Sequence, residues 1–217
     1  MPRETFLHLP PAKRERFIQI AIDEFADNDY TNASISRICR DAGIAKGSFY
    51  KYFEDKKELF MYLLDLAVQE KRVLLSQISP PAGTDVFATL RWVFQMQAQF
   101  NISHPRLAEV GYRAMNSDLP FREEWLGNMQ TQAIAMYRSM LLGGVAEGSV
   151  RPNVDLDTAA HLLHTILTEL THILPQRLGI NGRDLMARRL SDDEWTQANA
   201  IFDQVIDFLQ HGLGSGK

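Results

Sequence analysis

A glycine between two short apolar segments constrains the fold of this chain more than any other feature. In the segment before Gly43, small and branched apolar residues recur at the spacing of one helical face, and these are Ile35, Ile38, Cys39 and Ala42. Ser34 precedes them at the position of an N-cap hydroxyl. Gly43 supplies the left-handed backbone that ends a helix, and Ile44 can fill the space between two helices. Residues 34–53 therefore predict a helix-turn-helix.

The second predicted helix, from Lys46 to Tyr52, carries few apolar anchors. Phe49 and Phe53 are one helical turn apart and are expected to face the core. The other side chains point outward, and these are Lys46, Gly47, Ser48, Tyr50, Lys51 and Tyr52. Lysine and tyrosine donate to phosphate oxygens, while glycine and serine let the backbone approach base edges in the major groove. The pattern favours DNA binding over its alternative, a surface pair of helices with solvated lysines.

The run from Phe17 to Phe60 resembles the DNA-binding domain of the TetR (TetR/AcrR) family of bacterial transcriptional regulators. The similar pieces are Phe25-Ala26 with Tyr30, Ser34-Ile35 with Ile38, Ala42-Gly43-Ile44, Lys46 to Phe53, and Asp55 to Leu59. In the second half of the chain, Arg151-Pro152 and Asp155-Leu156-Asp157 resemble the start of that family's dimerisation helix.

The resemblance implies an all-α protein in two parts. Residues 1–58 are expected to form a three-helix DNA-binding domain with its motif at about 34–53. Residues 59–217 are expected to form a larger helical domain for ligand binding and dimerisation. Contacts at or near base edges are expected from Lys46, Gly47, Ser48 and Tyr50. Contacts with phosphates are expected from Ser34, Tyr50, Lys51, Tyr52 and Lys56.

Three residues depart from the family pattern. Ala45 stands where Ser or Thr usually caps the recognition helix, so that helix lacks a side-chain cap. Asp29 replaces a glycine at the end of the first helix, and because Asp tolerates the left-handed conformation better than most residues, the turn is expected to survive. Cys39 replaces an alanine, and a packing role is favoured over a redox-sensing one.

The charge of the chain is unevenly placed. Its formal net charge is −4, yet residues 37–57 carry six Lys or Arg against three acids, a net of +3. A small positive face on an acidic body favours specific over indiscriminate DNA association. The single cysteine cannot form an internal disulfide, and the sequence shows neither a membrane-spanning run nor a signal-peptide core. A cytoplasmic protein is therefore expected.

The motifs of common enzyme and cofactor sites do not occur in the sequence. It contains no Gly-rich phosphate loop, nucleophile elbow or zinc-protease helix, so neither enzymatic activity nor a cofactor is expected. His161, His164 and His172 share one helical face. A metal site there is disfavoured, because no Cys or well-placed carboxylate accompanies the histidines.

The rest of the chain favours helix throughout, beginning near Pro11. Asp55 with Glu58, and Ser191 with Glu194, have the spacing of capping boxes. Glycines and prolines separate the predicted helices, which cover residues 55–77, 84–102, 105–116, 121–147, 156–178 and 192–211.

The last two long helices are candidates for a dimer interface. Their apolar residues recur at coiled-coil-like spacing, at Leu163, Ile166, Leu170 and Ile173 on one helix and at Trp195, Ala198, Phe202, Val205 and Leu209 on the other. A dimer suits a helix-turn-helix, because two recognition helices about 34–36 Å apart can enter successive major grooves of a palindromic site. The alternative is that both stripes pack inside one subunit.

The middle helices suggest an effector pocket. Aromatic, methionine and polar side chains align on them, at Trp92, Met96, Phe100, Tyr112, Met115, Trp125, Met129, Gln132 and Met136. Such side chains suit a small apolar or aromatic effector, although an ordinary core is the alternative.

Together, these features predict a dimeric DNA-binding repressor that a small effector releases from a palindromic operator. One alternative is a DNA-binding protein of the same fold without small-molecule control. The other is a helical protein-interaction module.

Overall fold

The computed structural model describes residues 2–77, 83, 85–181 and 190–213. Within these residues the chain is built of helices and contains no β-strand. The helices are α1 (Glu4–Leu7), α2 (Pro11–Asp27), α3 (Ile35–Ala42), α4 (Lys46–Phe49), α5 (Lys56–Gln77), α6 (Val86–Ser103), α7 (Pro105–Asn116), α8 (Arg122–Glu147), α9 (Leu156–Leu178) and α10 (Asp192–Leu213). Among these residues, no helix has both the length and the apolar character that crossing a bilayer requires.

The chain divides into two compact units. The first unit contains residues 1–74 and 103–122, and the second contains residues 75–102 and 123–217. The first unit thus joins α1 to α4 and most of α5 with the distant helix α7. The domain boundary at residue 58, between a DNA-binding domain and an effector-binding and dimerisation domain, stays a prediction.

The first unit has an aromatic core. Phe53 is fully buried, and its ring lies 6.0 Å from that of Phe17 and 5.9 Å from that of Phe49, measured between centroids. Phe25 and Phe60 form a second contact of this kind at 4.9 Å. The two anchors predicted for the recognition helix, Phe49 and Phe53, are therefore confirmed as core residues.

Helix α1 was not predicted from the sequence. Phe6 within it is fully buried, with its ring 4.8 Å from that of Phe53. The Arg3 N–H donates to the Tyr52 carbonyl at 2.9 Å, and the Thr5 hydroxyl donates to the Lys51 carbonyl at 2.6 Å. Because a helix of four residues is barely one turn long, no helical apolar pattern can repeat within it, and its signal is a single aromatic residue.

One local prediction needs correction, and the turn predicted to survive at Asp29 forms by a different interaction. Helix α4 ends at Phe49 rather than at Tyr52, and the chain continues through tight turns in which Tyr52 N–H donates to the Phe49 carbonyl at 2.8 Å. Asp29 does not adopt the left-handed conformation, since no described residue other than glycine has a positive φ. Its carboxylate instead accepts from the Asn32 N–H at 2.8 Å, which closes the turn through the side chain.

The second unit combines α9 and α10 with most of α6 and α8. Asp155 caps α9 by accepting from Thr158 N–H at 2.7 Å. The box predicted at the start of α10 is present, because Ser191 Oγ accepts from Glu194 N–H at 3.2 Å and Glu194 Oε2 accepts from Ser191 N–H at 2.8 Å. The helices at 105–116 and 156–178 match their predicted bounds, whereas residue 84, a predicted helix start, lies outside the described residues.

Most of the predicted dimer stripe lies inside the subunit. Helices α9 and α10 pack against each other, and five of the predicted interface residues are at most 4% exposed, namely Leu163, Leu170, Ala198, Phe202 and Leu209. These five therefore belong to the core of one chain, which was the alternative. The large apolar side chains that α9 and α10 leave exposed are Leu162, Ile173 and Phe208, of which Phe208 is 71% exposed.

Candidate functional site

The helix-turn-helix forms through local caps. Ser34 Oγ accepts from the Arg37 N–H at 3.3 Å and begins α3. Gly43, with φ of 70°, ends α3 while its N–H donates to Arg40, and Ile44 N–H donates to the Cys39 carbonyl at 2.9 Å. This is the Schellman arrangement that a glycine at this position predicts. Helix α4 follows without a side-chain cap, as Ala45 predicts.

A carboxylate on α2 holds the start of α3. Glu24 accepts from the Ser34 N–H at 2.7 Å and from Arg37 Nε at 3.0 Å, and its side chain is only 9% exposed. Arg37 also donates to the Asn32 carbonyl at 2.7 Å. Since these bonds link one buried charge to a backbone N–H and a guanidinium, they fix the orientation of α3 on α2. Sequence reasoning missed Glu24, because its partners lie ten or more residues away.

The exposed face of α4 carries the residues predicted to contact base edges. Lys46 and Gly47 are exposed, Ser48 is half-buried, and Tyr50 is 47% exposed. A methyl group added at Gly47 would meet nothing within 4 Å. Lys51 is exposed just beyond the helix. Neither Lys46 nor Lys51 forms an ion pair with any residue that the structure describes.

The remaining predicted DNA contacts are engaged within the protein. Ser34 caps α3, and the Tyr52 ring lies 5.7 Å from that of Phe6. Lys56 Nζ donates to the carbonyls of Thr31 and Ala33 at 3.1 and 3.0 Å. It also lies 4.7 Å from the centroid of the Tyr30 ring. Lys56 therefore stabilises the turn before α3, a role that its spacing in the sequence does not predict.

Ion pairs neutralise part of the positive charge predicted for residues 37–57. Arg37 pairs with Glu24, and Arg40 Nε lies 2.8 Å from Asp41 Oδ1. Among the described residues of 37–57, the exposed basic side chains without an ion pair are then Lys46 in α4 and Lys51 just beyond it. Cys39 is buried, and this burial raises the pKa of its thiol. The positive charge of nearby Lys46 offsets only part of that rise. This supports the packing role.

Helix α7 is bonded to the end of α2. Arg106 Nε lies 2.9 Å from Asp23 Oδ1, and its Nη1 lies 2.8 Å from Asp27 Oδ1. Arg113 Nε donates to the Ala26 carbonyl at 3.0 Å. Two guanidinium groups thus satisfy carbonyls and carboxylates at the C-terminal end of α2, where the helix dipole favours positive charge. We call these contacts the α2–α7 clamp.

The second unit contains a cavity of about 510 Å³ between α6, α9 and α10, with Tyr137 of α8 also lining it. Its wall is largely apolar, as shown by Leu90, Val93, Phe94, Ala98, Ile102, Leu167, Leu170, Leu174, Leu190, Trp195, Ala198 and Phe202. Polar groups come from Gln95, Gln97, Gln99, Asn101, Tyr137, Thr171 and Asp192. An apolar cavity with a few polar groups has the character of a small-molecule site.

The residues predicted for an effector pocket do not line this cavity. Helix α6 directs Phe94 and Ala98 toward it, rather than Trp92, Met96 and Phe100. The remaining predicted residues also lie elsewhere, and these are Tyr112, Met115, Trp125, Met129, Gln132 and Met136. Met115, Met129 and Met136 are between 37% and 45% exposed. The reason is that α6 is apolar on more than one face, so spacing alone does not select the face that meets the cavity.

The histidines of α9 gather no ligand set. His161 and His172 are exposed, His164 is half-buried, and His161 Nδ1 is 2.7 Å from the Asp157 carbonyl. In the part of the chain that the structure describes, no group of three or more metal-ligating side chains comes together.

Comparisons with known proteins agree with this architecture. Residues 17–63 match the family model of the bacterial regulatory proteins of the tetR family, and residues 84–213 match that of the tetracyclin repressor-like C-terminal domain. The chain belongs to the TetR family. Members of the TetR family are transcriptional regulators and not enzymes, so this chain is a DNA-binding regulator.

Three relatives illustrate the range of the TetR family around this chain. A TetR family regulator from Chloroflexus aurantiacus J-10-fl is 40% identical, with a TM-score of 0.70 and 99% of both chains covered. The repressor KstR2 of Mycolicibacterium smegmatis is 27% identical over 68% of this chain and 72% of its own length. The structure of FadR from Bacillus subtilis, in complex with stearoyl-CoA, has a TM-score of 0.65 at 18% identity and covers 91% of this chain and 98% of that one. The last likeness shows the fold alone.

Proposed function

We propose that this TetR family protein is a homodimeric repressor that binds a palindromic operator and leaves it when a small molecule enters the cavity. The observation that carries the proposal is the exposed face of α4, which is polar and positively charged and stands on a braced helix-turn-helix. In this proposal residues 1–58 read DNA, and residues 59–217 bind the effector and dimerise.

The role proposed for each residue in DNA binding depends on whether its side chain is exposed or has a partner within the protein. Lys46, Gly47, Ser48 and Tyr50 contact base edges or atoms near them, and Tyr50 and Lys51 also contact phosphates. Because Ser34, Tyr52 and Lys56 have partners in the protein, they contribute to DNA binding chiefly by holding α3 and α4 in place.

Dimerisation uses the apolar side chains left exposed on α9 and α10. Leu162, Ile173 and Phe208 are between 39% and 71% exposed. Large apolar patches on one face of a soluble protein mark interfaces. The Phe208→Glu variant is expected to shift the molecular mass in sedimentation equilibrium from dimer to monomer, whereas Phe208→Leu is expected to stay dimeric. A wild-type monomer at micromolar concentration would contradict the proposed dimer.

Release by an effector requires that the cavity and the DNA-binding unit be coupled. Ile102 of α6 lines the cavity, and Arg106, four residues later, forms the α2–α7 clamp. A ligand that favours a different position of the end of α6 therefore biases α7 and, through the clamp, the helix that carries the helix-turn-helix. Coupling of about 1–3 kcal/mol suffices for such regulation. That FadR of Bacillus subtilis holds stearoyl-CoA supports a ligand role for this fold.

The test is fluorescence anisotropy of the full chain with duplexes tiled from the DNA upstream of its own gene. Measurements at two salt concentrations, with scrambled duplex as competitor, separate specific from electrostatic binding. Competitor-resistant binding to a palindromic tile is expected. Binding of every tile with equal affinity and the same salt dependence would contradict a specific regulator.

A further inference from the structure

Three aromatic rings with nearly parallel planes line the cavity of the second unit. The Phe94 ring lies nearly parallel to that of Phe202, with centroids 4.0 Å apart and planes at 11°. It is also parallel to the Trp195 ring, at 6.1 Å and 1°. All three residues line the cavity. Rings of one common orientation favour a ligand that is itself flat and aromatic, because offset stacking adds to the burial of apolar surface.

The cavity also offers one donor and one acceptor that no described residue engages. Tyr137 forms no hydrogen bond with any described residue, and burial raises the pKa of its hydroxyl, which therefore stays protonated and can donate at neutral pH. Gln97 Nε2 donates to Asn101 Oδ1 at 2.9 Å, which orients the amide. Gln97 Oε1 has no hydrogen bond within the described part of the chain and can accept.

The charge of the lining opposes anions. Among the described residues that line the cavity there is no Lys, Arg or His, and Asp192 is the charged one. A carboxylate or phosphate that entered would lose its hydration without gaining an opposite charge from the described lining residues, and Asp192 would repel it. An uncharged ligand meets neither cost.

We infer that this cavity binds an uncharged, flat aromatic molecule that carries both a hydrogen-bond acceptor and a donor, and that it excludes anionic ligands such as acyl-CoA thioesters. The inference rests on the proposed function of the cavity as an effector site. It concerns binding alone, so it can be tested on the full chain without DNA.

The test compares ligands of one ring system by isothermal titration calorimetry. Acridone is flat and uncharged and carries an N–H and a carbonyl, whereas acridine-9-carboxylate has the same three rings and a negative charge. Acridone is expected to bind about tenfold more tightly or better, since none of the described lining residues offers a buried carboxylate an opposite charge. Stearoyl-CoA is expected neither to bind nor to displace acridone.

A matched pair of variants locates the ligand. Tyr137→Phe is expected to weaken acridone binding about fivefold, the effect of one uncharged hydrogen bond, and to leave the melting temperature unchanged because the hydroxyl has no partner among the described residues. Tyr112→Phe, outside the cavity, is expected to bind acridone like wild type. Any of three results would overturn the inference: no binding of acridone, tighter binding of the carboxylate or of stearoyl-CoA than of acridone, or an acridone affinity that Tyr137→Phe leaves unchanged.

A separate measurement distinguishes this inference from the proposed function. Acridone is added to the protein bound to its operator duplex, and anisotropy is followed. If acridone binds with the pattern described and leaves the operator complex intact, the ligand class stands and effector-controlled release fails. If acridone does not bind and another compound releases the operator, the ligand class fails and the regulator stands.

Discussion

Arg106 and Asp23 are 83 positions apart in the sequence, yet Arg106 Nε lies 2.9 Å from Asp23 Oδ1. Arg106 Nη2 donates in addition to the Asp23 carbonyl at 2.9 Å. One side chain thus bonds the carboxylate and the backbone of the same residue. This pairing makes α7 part of the unit that contains the helix-turn-helix.

Arg106→Ala is expected to lower the free energy of unfolding by about 1 kcal/mol. The figure is modest because the Arg106 side chain is 39% exposed and water screens its charge. It should also weaken the response of operator binding to an effector. Urea denaturation measures the first effect and anisotropy the second. Arg138→Ala, which breaks the more exposed pair with Asp157, is the control and should cost less than about 0.5 kcal/mol. Equal losses in both variants would contradict the clamp.

Glu24→Gln is expected to destabilise the protein by about 2 kcal/mol. The buried carboxylate accepts from Ser34 N–H and Arg37, and a neutral amide leaves the Arg37 charge poorly paired. Operator affinity should fall in parallel, because α3 loses its orientation. Glu15→Gln on the exposed face of α2 is the control, and it should leave both the thermal transition and the affinity unchanged. An equal effect of the two substitutions would rule out the brace.

Gly47→Ala is expected to weaken operator binding about tenfold without loss of stability. A methyl group at this position meets nothing in the protein, so any effect on affinity reports the approach of DNA to the backbone. Gly127→Ala in α8, equally free of contacts, is the control. Anisotropy and differential scanning calorimetry on both variants check the prediction. Unchanged affinity of Gly47→Ala would remove residue 47 from the DNA interface.

Lys51 and Lys56 are expected to differ although both were predicted to contact phosphate. Lys51→Ala should flatten the slope of log affinity against log salt by about 0.9, the effect of one lost phosphate contact. Lys56→Met should instead lower the melting temperature, since Lys56 Nζ donates to the Thr31 and Ala33 carbonyls. A flatter slope for Lys56→Met at unchanged stability would restore its predicted phosphate contact.

Gly144→Ala is expected to destabilise the second unit by about 1 kcal/mol despite the better helix propensity of alanine. An added methyl group would lie 2.7 Å from Val150 Cγ2 and 3.2 Å from Val86 Cβ, and both valines are buried. Gly143→Ala, one residue earlier and exposed, meets nothing and is expected to stabilise by up to about 1 kcal/mol. Chemical denaturation should therefore move the two variants in opposite directions.

The helix-turn-helix and most helix bounds could be predicted from the sequence, because both depend on contacts a few residues apart. The Ser34 cap, the left-handed Gly43 and the Phe49–Phe53 pair act within single turns. The exposed set at α4 follows from the same local pattern. These features could therefore be predicted without knowing which residues pack against them.

The tertiary structure decided which partner each helical face meets. Periodicity indicates that a face is apolar, but a core, a cavity and an interface all accept apolar faces. Trp195 and Phe202, predicted for a dimer interface, line the cavity instead, and Phe94 rather than Trp92 meets it from α6. The partners of Lys56 and Arg106 could not be predicted from the sequence either. Both side chains donate to backbone carbonyls that come near only when the helices pack. The sequence by itself thus determined the helices and the reading motif, and the folded chain determined the cavity and the clamp.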